Sequence, residues 1–238
     1  MTNSVRAVVL DLDGTLVNST IDFRKMKEKM ISYLVSKGAD PSDLSPTETN
    51  VVIISKSERM LREKGLSDAD MKVVMSRVEE FMNEGEMESL DNTTAIEGAK
   101  EACHRLKAMG YTTVILTRGH HRYAEEALRK TRMLEYFDYV LGREETPKPK
   151  PYPEALQHVA DLLKVELREL VFVGDHPIDH TCAQGASVRF VAVQTGATKA
   201  EAWKEAGCTE VIKTVAELPD YLSRSGPGWS FSATPTFL

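Results

Sequence analysis

The chain opens on an apolar run, Ala7-Val8-Val9-Leu10, that stops abruptly at Asp11. A short apolar run bounded by polar residues predicts a strand buried on both faces. Gly14, three residues on, permits a tight turn. From Ile21 to about Leu90 the period changes. Phe23, Met26, Met30 and Leu34 recur at helical spacing, as do Met60, Met71, Val74, Val78, Phe81 and Met82, in segments dense in Lys and Glu. This predicts several amphipathic helices and little strand. Gly65-Leu66-Ser67 reads as a helix end followed by a new N-cap, and Asp40-Pro41 and Ser45-Pro46 read as turns.

After about Thr94 the two periods alternate. Strands are predicted over 111–116, 136–141, 170–173, 189–193 and 210–212. Helices are predicted over 98–109, 120–132, from the Pro-rich turn 146–153 to about Lys164, from Pro177 onward, over 199–206 and near Leu222. Such alternation implies an α/β fold with a doubly wound parallel sheet and right-handed crossovers. The helical stretch interrupts it after the first strand. We therefore expect a core of residues 1–18 and 94–222, an inserted α-helical cap of 19–93, and a tail of 223–238. The tail is Ser/Pro/Gly-rich with Trp229, Phe231 and Phe237, and reads as either a flexible end or an arm that packs its aromatics.

Composition narrows the function. A formal charge of −6 argues against nucleic-acid or anionic-membrane partners, which need clustered Lys and Arg. A small phosphorylated metabolite remains possible, because one local basic site suffices to bind it. The three cysteines, Cys103, Cys182 and Cys208, are too few and too widely spaced for a disulfide framework or a CxxC metal site. Reduced thiols in a cytoplasmic protein are the expectation. Charged Arg6, Asp11 and Asp13 fit no signal peptide, and no apolar run approaches the ~20 residues of a membrane span.

In a doubly wound sheet, ligands bind beyond the carboxyl ends of the strands. Four polar clusters follow predicted strands: Asp11-Leu12-Asp13-Gly14-Thr15, Thr117-Arg118-Gly119, Lys148 in its Pro-rich turn, and Gly174-Asp175 with Asp179. An Asp carboxylate can attack phosphorus. Mg²⁺ favours oxygen ligands such as Asp11, a nearby carbonyl and Asp175. Thr117 and the following backbone N–H groups, including those of Arg118 and Gly119, can hold phosphate oxygens at a helix start. Lys148 can offset phosphate charge and separate crowded carboxylates.

These clusters, in this order, closely resemble the four motifs of the haloacid dehalogenase superfamily. Asp11-Leu12-Asp13-Gly14-Thr15-Leu16-Val17-Asn18-Ser19 is similar to the first and Val114-Ile115-Leu116-Thr117 to the second. Lys148-Pro149-Lys150-Pro151-Tyr152-Pro153 is similar to the third, and Val171-Phe172-Val173-Gly174-Asp175 with Asp179 to the fourth. The resemblance spans residues 5–222 and is greatest to phosphoglycolate-phosphatase-like members. It implies a Rossmann-like core with a helical cap. It makes Asp11 the nucleophile, and Asp13 the general acid/base whose carbonyl also meets Mg²⁺. Thr117 and Lys148 become phosphate ligands, Asp175 a metal ligand and Asp179 its support. The dehalogenase branch lacks the second Asp, so Asp13 disfavours C–halogen cleavage.

Several points stay open at this level. Lys150 competes with Lys148, which we favour because the KPxPxP spacing begins there. Arg118 stands where relatives carry Asn or Ser, and either adds a phosphate contact or faces solvent. His176 and His180, four apart on a helix face, suggest zinc, but no thiolate or third histidine completes a tetrahedral set. His120 and His121 read as surface or helix-start residues. Phe23, Arg24 and Lys25 follow the first hinge and are candidates for substrate selection. A phosphomutase on the same scaffold and a non-enzymatic phospho-ligand-binding protein are the rival functions, and monomer and homodimer fit equally.

Overall fold

A computed structural model of the chain describes residues 5–196 and 198–224. In chain order its elements are β1 (Ala7–Leu10), β2 (Val17–Asn18), α1 (Phe23–Ser36), α2 (Asn50–Glu63), α3 (Asp68–Ser89), β3 (Thr94–Ala95), α4 (Ala99–Ala108), β4 (Thr112–Leu116), α5 (His121–Lys130), β5 (Tyr139–Leu141), α6 (Glu154–Leu163), β6 (Leu170–Gly174), α7 (Pro177–Ala186), β7 (Arg189–Val193), α8 (Ala200–Glu205), β8 (Val211–Ile212) and α9 (Leu218–Arg224). Contacts divide the chain at 19/20 and 92/93 into two compact units.

The first unit is an α/β body around a six-stranded sheet in the order β5-β4-β1-β6-β7-β8. Every neighbouring pair in it is parallel. β1 is central, and all four of its residues are fully buried, which explains its unbroken apolar run. Alternate residues face one core: Ala7 and Val9, Val114 and Leu116, Leu170 and Phe172, and Phe190 and Ala192. Ala155, Leu156 and Val159 of α6 and Cys182 and Ala183 of α7 belong to the same core. Leaving β1, the chain builds outward through β4 and β5 on one side and through β6, β7 and β8 on the other. β1 is therefore the switch point, the position at which such sheets open a crevice.

The second unit is α1, α2 and α3 around a methionine-rich core of Met26, Met30, Leu34, Ile53, Met60, Leu61, Met71, Val74, Val78 and Met82. Met suits such a core because its flexible thioether fills irregular gaps. Asp22 caps α1 by accepting from the Lys25 N–H at 2.9 Å, and Ser67 caps α3 by accepting from the Asp70 N–H at 3.1 Å. Gly65, at φ +83°, supplies the left-handed residue just past α2. Phe23 departs from the expected stripe. It opens α1 but is 48% exposed, because the buried face of this helix runs through Met26, Met30 and Leu34.

Two further features differ from the sequence expectation. Val17–Asn18 and Thr94–Ala95 pair antiparallel as a two-residue ribbon, too short for any periodicity to announce. The strand expected over 136–141 begins only at Tyr139, because Leu134–Tyr136 forms a single helical turn. Residues 225–238, nearly all of the expected tail, lie outside the described residues.

Asp138 fastens the outer edge of the sheet. Its N–H donates to the Thr113 carbonyl at 2.9 Å, and its carboxylate accepts from the Thr113 N–H at 2.8 Å and from Lys107 Nζ at 2.7 Å. Partial burial pushes this carboxyl up, but the Lys107 ammonium and the Thr113 N–H outweigh it and hold the group below its ordinary value. A depressed folded pKa stabilises the fold above the unfolded value, and that contribution is lost as pH falls through the folded one. Asp138→Ala should therefore cost about 1 kcal/mol in urea unfolding at neutral pH, the partial exposure of the pair tempering the value. The gap between variant and parent should shrink below the carboxylate range.

Candidate active site

Strand register assembles the site. Leu10 of β1 lies opposite Ile115 of β4 and Val173 of β6. The residues that follow the three strands, Asp11, Thr117 and Asp175, leave the sheet at one edge. The Asp11 N–H still donates to the Val173 carbonyl, at 2.9 Å, so its backbone is fixed by the ladder. Beyond it the chain turns sharply: Gly14 takes φ +83°, and its N–H donates to the Val17 carbonyl at 2.8 Å.

Asp11, Asp175 and Asp179 are 7%, 6% and 2% exposed, and one oxygen of each lies within 4.8 Å of the others. The lysine among them is Lys150. Its ammonium is 2.5 Å from Asp11 Oδ1 and 2.7 Å from Asp179 Oδ1, and the residue is only 2% exposed. The Lys148 assignment is corrected here. Lys148 lies on the surface, its ammonium 2.6 Å from Glu154 and 5.4 Å from the centre of the Tyr152 ring. Only Pro149 stands between the two lysines in this irregular turn, and it is the second whose stem lies buried with its ammonium over the Phe172 ring.

Burial raises Asp11 well above its ordinary value, and the Asp179 and Asp175 charges add to this against the opposing Lys150. Burial acts to lower Lys150, but Asp11 and Asp179 more than reverse it, so the ammonium stays charged. One ammonium among three carboxylates leaves a formal excess of two negative charges in the cluster, which suits a divalent cation.

Glycines wall this cluster. A Cβ on Gly14 would stand 2.5 Å, and one on Gly196 1.6 Å, from Asp175 Oδ2. On Gly174 it would stand 2.5 Å from Asp179 Oδ2. The same Asp179 oxygen accepts from the His176 N–H at 3.1 Å, closing a box at the start of α7. Thr195 adds a tie, donating to the Gly14 carbonyl at 2.6 Å. Thr195 and Gly196 were not anticipated, although their place just after β7 marks them as crevice residues by the same strand-end rule.

Thr117 is buried beside this edge, its N–H donating to the Leu141 carbonyl at 3.0 Å. Its Oγ1 accepts from the Gly119 N–H at 3.0 Å, so the donor offered to phosphate at Gly119 is turned inward. Arg118 is half-buried, and its carbonyl accepts from Arg143. Its charge reaches His176, where burial first and then Arg118 hold the imidazole below its ordinary value against the pull of Asp179.

Asp13 is half-buried, and Tyr123 of α5 donates to its Oδ1 at 2.6 Å. Tyr123 gave no signal in the sequence, since it lies on the apolar face of its helix and reads as core. Burial raises Asp13, opposed by the hydroxyls of Tyr123 and Ser19.

The imidazole rings of His176 and His180 are engaged elsewhere. His176 Nδ1 accepts from the Ile178 N–H at 3.1 Å, while His180 packs against Phe190 and Trp203. Among the described residues, the carboxylate triad is the one His/Cys/Asp/Glu group with metal-holding geometry, and it offers oxygen alone. His120 caps α5, and His121 pairs with Glu145 at 2.8 Å near the surface. Arg24 pairs with Glu28 at 2.9 Å and Lys25 with Glu88 at 3.2 Å, both within the helical unit. No described helix is long and apolar enough to cross a membrane.

Comparison with known proteins supplies the family. Residues 8–193 match the model of the haloacid dehalogenase-like hydrolase family. A phosphoglycolate phosphatase of Nitrosospira multiformis is 24% identical over 226 residues, covering 93% of this chain and 97% of the relative. A second, of Chromobacterium violaceum, is 26% identical over 218 residues, covering 92% and 96%. In structure, a HAD family hydrolase of Deinococcus radiodurans, solved with bound phosphate and sodium, superposes with a TM-score of 0.62 at 20% identity, covering 94% of this chain and 98% of that one. The chain therefore belongs to the haloacid dehalogenase-like hydrolases, among the phosphatases that resemble phosphoglycolate phosphatase.

Proposed function

We propose that the protein is a magnesium-dependent phosphatase that hydrolyses a small phosphate monoester through an aspartyl-phosphate on Asp11. The observation that carries this reading is the buried set of Asp11, Asp175 and Asp179 around Lys150, with Asp13 on the adjoining turn. A binding protein has no need of a second carboxylate placed beside a buried nucleophile.

In the first step an Asp11 oxygen attacks phosphorus, and the bond from phosphorus to the ester oxygen breaks. Asp13 gives its proton to the departing alkoxide. In the second step Asp13 takes a proton from water, whose oxygen attacks the same phosphorus. The acyl-phosphate bond breaks, inorganic phosphate leaves, and Asp11 returns as a carboxylate. Thr117 and Lys150 hold the phosphoryl oxygens, with Arg118 at the margin. Lys150 also opposes the rise that burial forces on the Asp11 carboxyl.

Asp11, Asp175 and the Asp13 carbonyl would hold Mg²⁺, with Asp179 as support. The all-oxygen donor set and the excess negative charge favour a hard divalent cation. Bound there, it would neutralise phosphate charge that the carboxylates otherwise repel.

We assign the helical unit the part of the cap expected of residues 19–93, closing on the leaving group and excluding water. The exposure of Phe23 supports its candidacy for substrate contact. Three buried free cysteines support a cytoplasmic setting.

A panel of small phosphate esters with Mg²⁺ tests this. At least one ester should be hydrolysed with release of free phosphate, and Asp11→Asn should lower kcat by about 10⁴-fold or more. Failure to hydrolyse any ester, or an active Asp11→Asn, would sink the reading. Interconversion of sugar-phosphate isomers without free phosphate would identify a mutase instead. The two lysines should separate cleanly in the same assay. Lys150→Met should cost about 10²-fold or more in kcat/KM and several kcal/mol of stability, since it strands buried carboxylates. Lys148→Met should stay within about twofold, as expected for a surface ion pair.

A further inference from the structure

We infer that Tyr123 is a positioning residue for Asp13, setting which carboxylate oxygen exchanges the proton with the leaving group and with water. The assignment rests on the phosphatase reading above and extends it to a side chain outside all four sequence motifs.

Tyr123 lies in the first turn of α5, the helix that follows the Thr117 loop. It is 1% exposed. Its ring fills the space beside Gly119, where a Cβ would stand 2.9 Å from Tyr123 Cδ1. From there the phenol reaches 110 residues back along the chain to Asp13 Oδ1, at 2.6 Å. A phenol keeps its proton at neutral pH, so it serves as the donor and the carboxylate as the acceptor.

The geometry has a chemical consequence. The terminal torsion of an Asp side chain is soft and roughly two-fold, so an untethered carboxylate presents either oxygen. Tethering Oδ1 leaves Oδ2 as the oxygen the phenol does not hold. A hydrogen bond to a carboxylate is also stronger than one to a neutral acid. As Asp13 gives its proton to the departing alkoxide, the bond from Tyr123 strengthens and favours that step. In the second step the same tether aims Oδ2 at the water whose proton it accepts. Tyr123 keeps its own proton throughout. Ser19 gives Asp13 another hydroxyl, so loss of the phenol loosens the carboxylate without freeing it.

A purely structural tyrosine would need an acceptor too, so the test must read chemistry as well as folding. Tyr123→Phe retains the ring and removes the donor. Two esters are compared: an alkyl phosphate turned over in the panel, and 4-nitrophenyl phosphate, whose leaving group departs without a proton. We expect kcat/KM for the alkyl ester to fall about 10- to 100-fold with KM nearly unchanged. For the nitrophenyl ester, kcat/KM, which covers only steps through leaving-group departure, should stay within about threefold. In an Asp13→Asn background the same substitution should cost no more than about twofold on the alkyl ester, because its effect passes through Asp13.

Parallel losses on both esters, no loss on either, or a full loss in the Asp13→Asn background would overturn the assignment. If Tyr123→Phe does not fold, as judged by its thermal melt, the phenol is structural and the assignment falls. Wild-type protein inactive on every ester would remove the phosphatase reading and this inference together. Wild type active, Asp13→Asn strongly impaired on the alkyl ester and Tyr123→Phe unimpaired would remove this inference alone.

Discussion

Everything at the carboxyl edge of the sheet depends on the Lys150 ammonium lying between Asp11 and Asp179. Three buried carboxylates within 4.8 Å of one another repel strongly, and burial penalises each charge separately. The lysine cancels part of that repulsion and stays charged because of the acids it compensates. It also links two motifs of the sequence through one atom, since Asp11 follows β1 and Asp179 lies on α7. A third contribution comes from Phe172, whose ring lies beneath the ammonium and belongs to the main core. Packing and charge are thus coupled: the core strand that buries Phe172 also floors the site.

The parallel sheet turns this local balance into a site. β1 carries Asp11 to the switch point, and its neighbours β4 and β6 bring Thr117 and Asp175 to the same edge through register alone. Glycines then finish the shape. Gly14, Gly174 and Gly196 press backbone against the Asp175 and Asp179 carboxylates, so steric walls as well as hydrogen bonds fix their orientation. Rigid orientation of charged groups of this kind lets a site stabilise developing charge without reorganising at the moment of reaction.

Much of this is legible in the amino-acid sequence. The unbroken apolar run of β1 announced a central strand, and the shift to helical periodicity after Ile21 marked the insert. The positions of Asp11, Asp13, Thr117, Asp175 and Asp179 were readable because each follows a strand or opens a helix, where position is tied to pattern. Illegible residues share the opposite property. Lys148 and Lys150 lie in a Pro-rich turn with no period to say which side chain points inward, so the choice fell on the wrong one. Tyr123 sits on the apolar face of a helix, where a hydroxyl reaching across the fold looks the same as core packing. The Gly119 N–H was offered to a ligand because a sequence cannot show that Thr117 claims it first.

The glycine walls carry a consequence for how such a protein can change. Around Asp175 and Asp179 even one added methyl group collides with a carboxylate oxygen, so this floor has almost no mutational freedom. The methionine core of the helical unit is the reverse: flexible, unbranched side chains that repack around a substitution. Change therefore has an easier route within the helical unit than along the glycine-lined edge of the sheet. Divergence in this chain should be read as a gradient, steep in the three helices and nearly flat along the glycine-lined edge of the sheet.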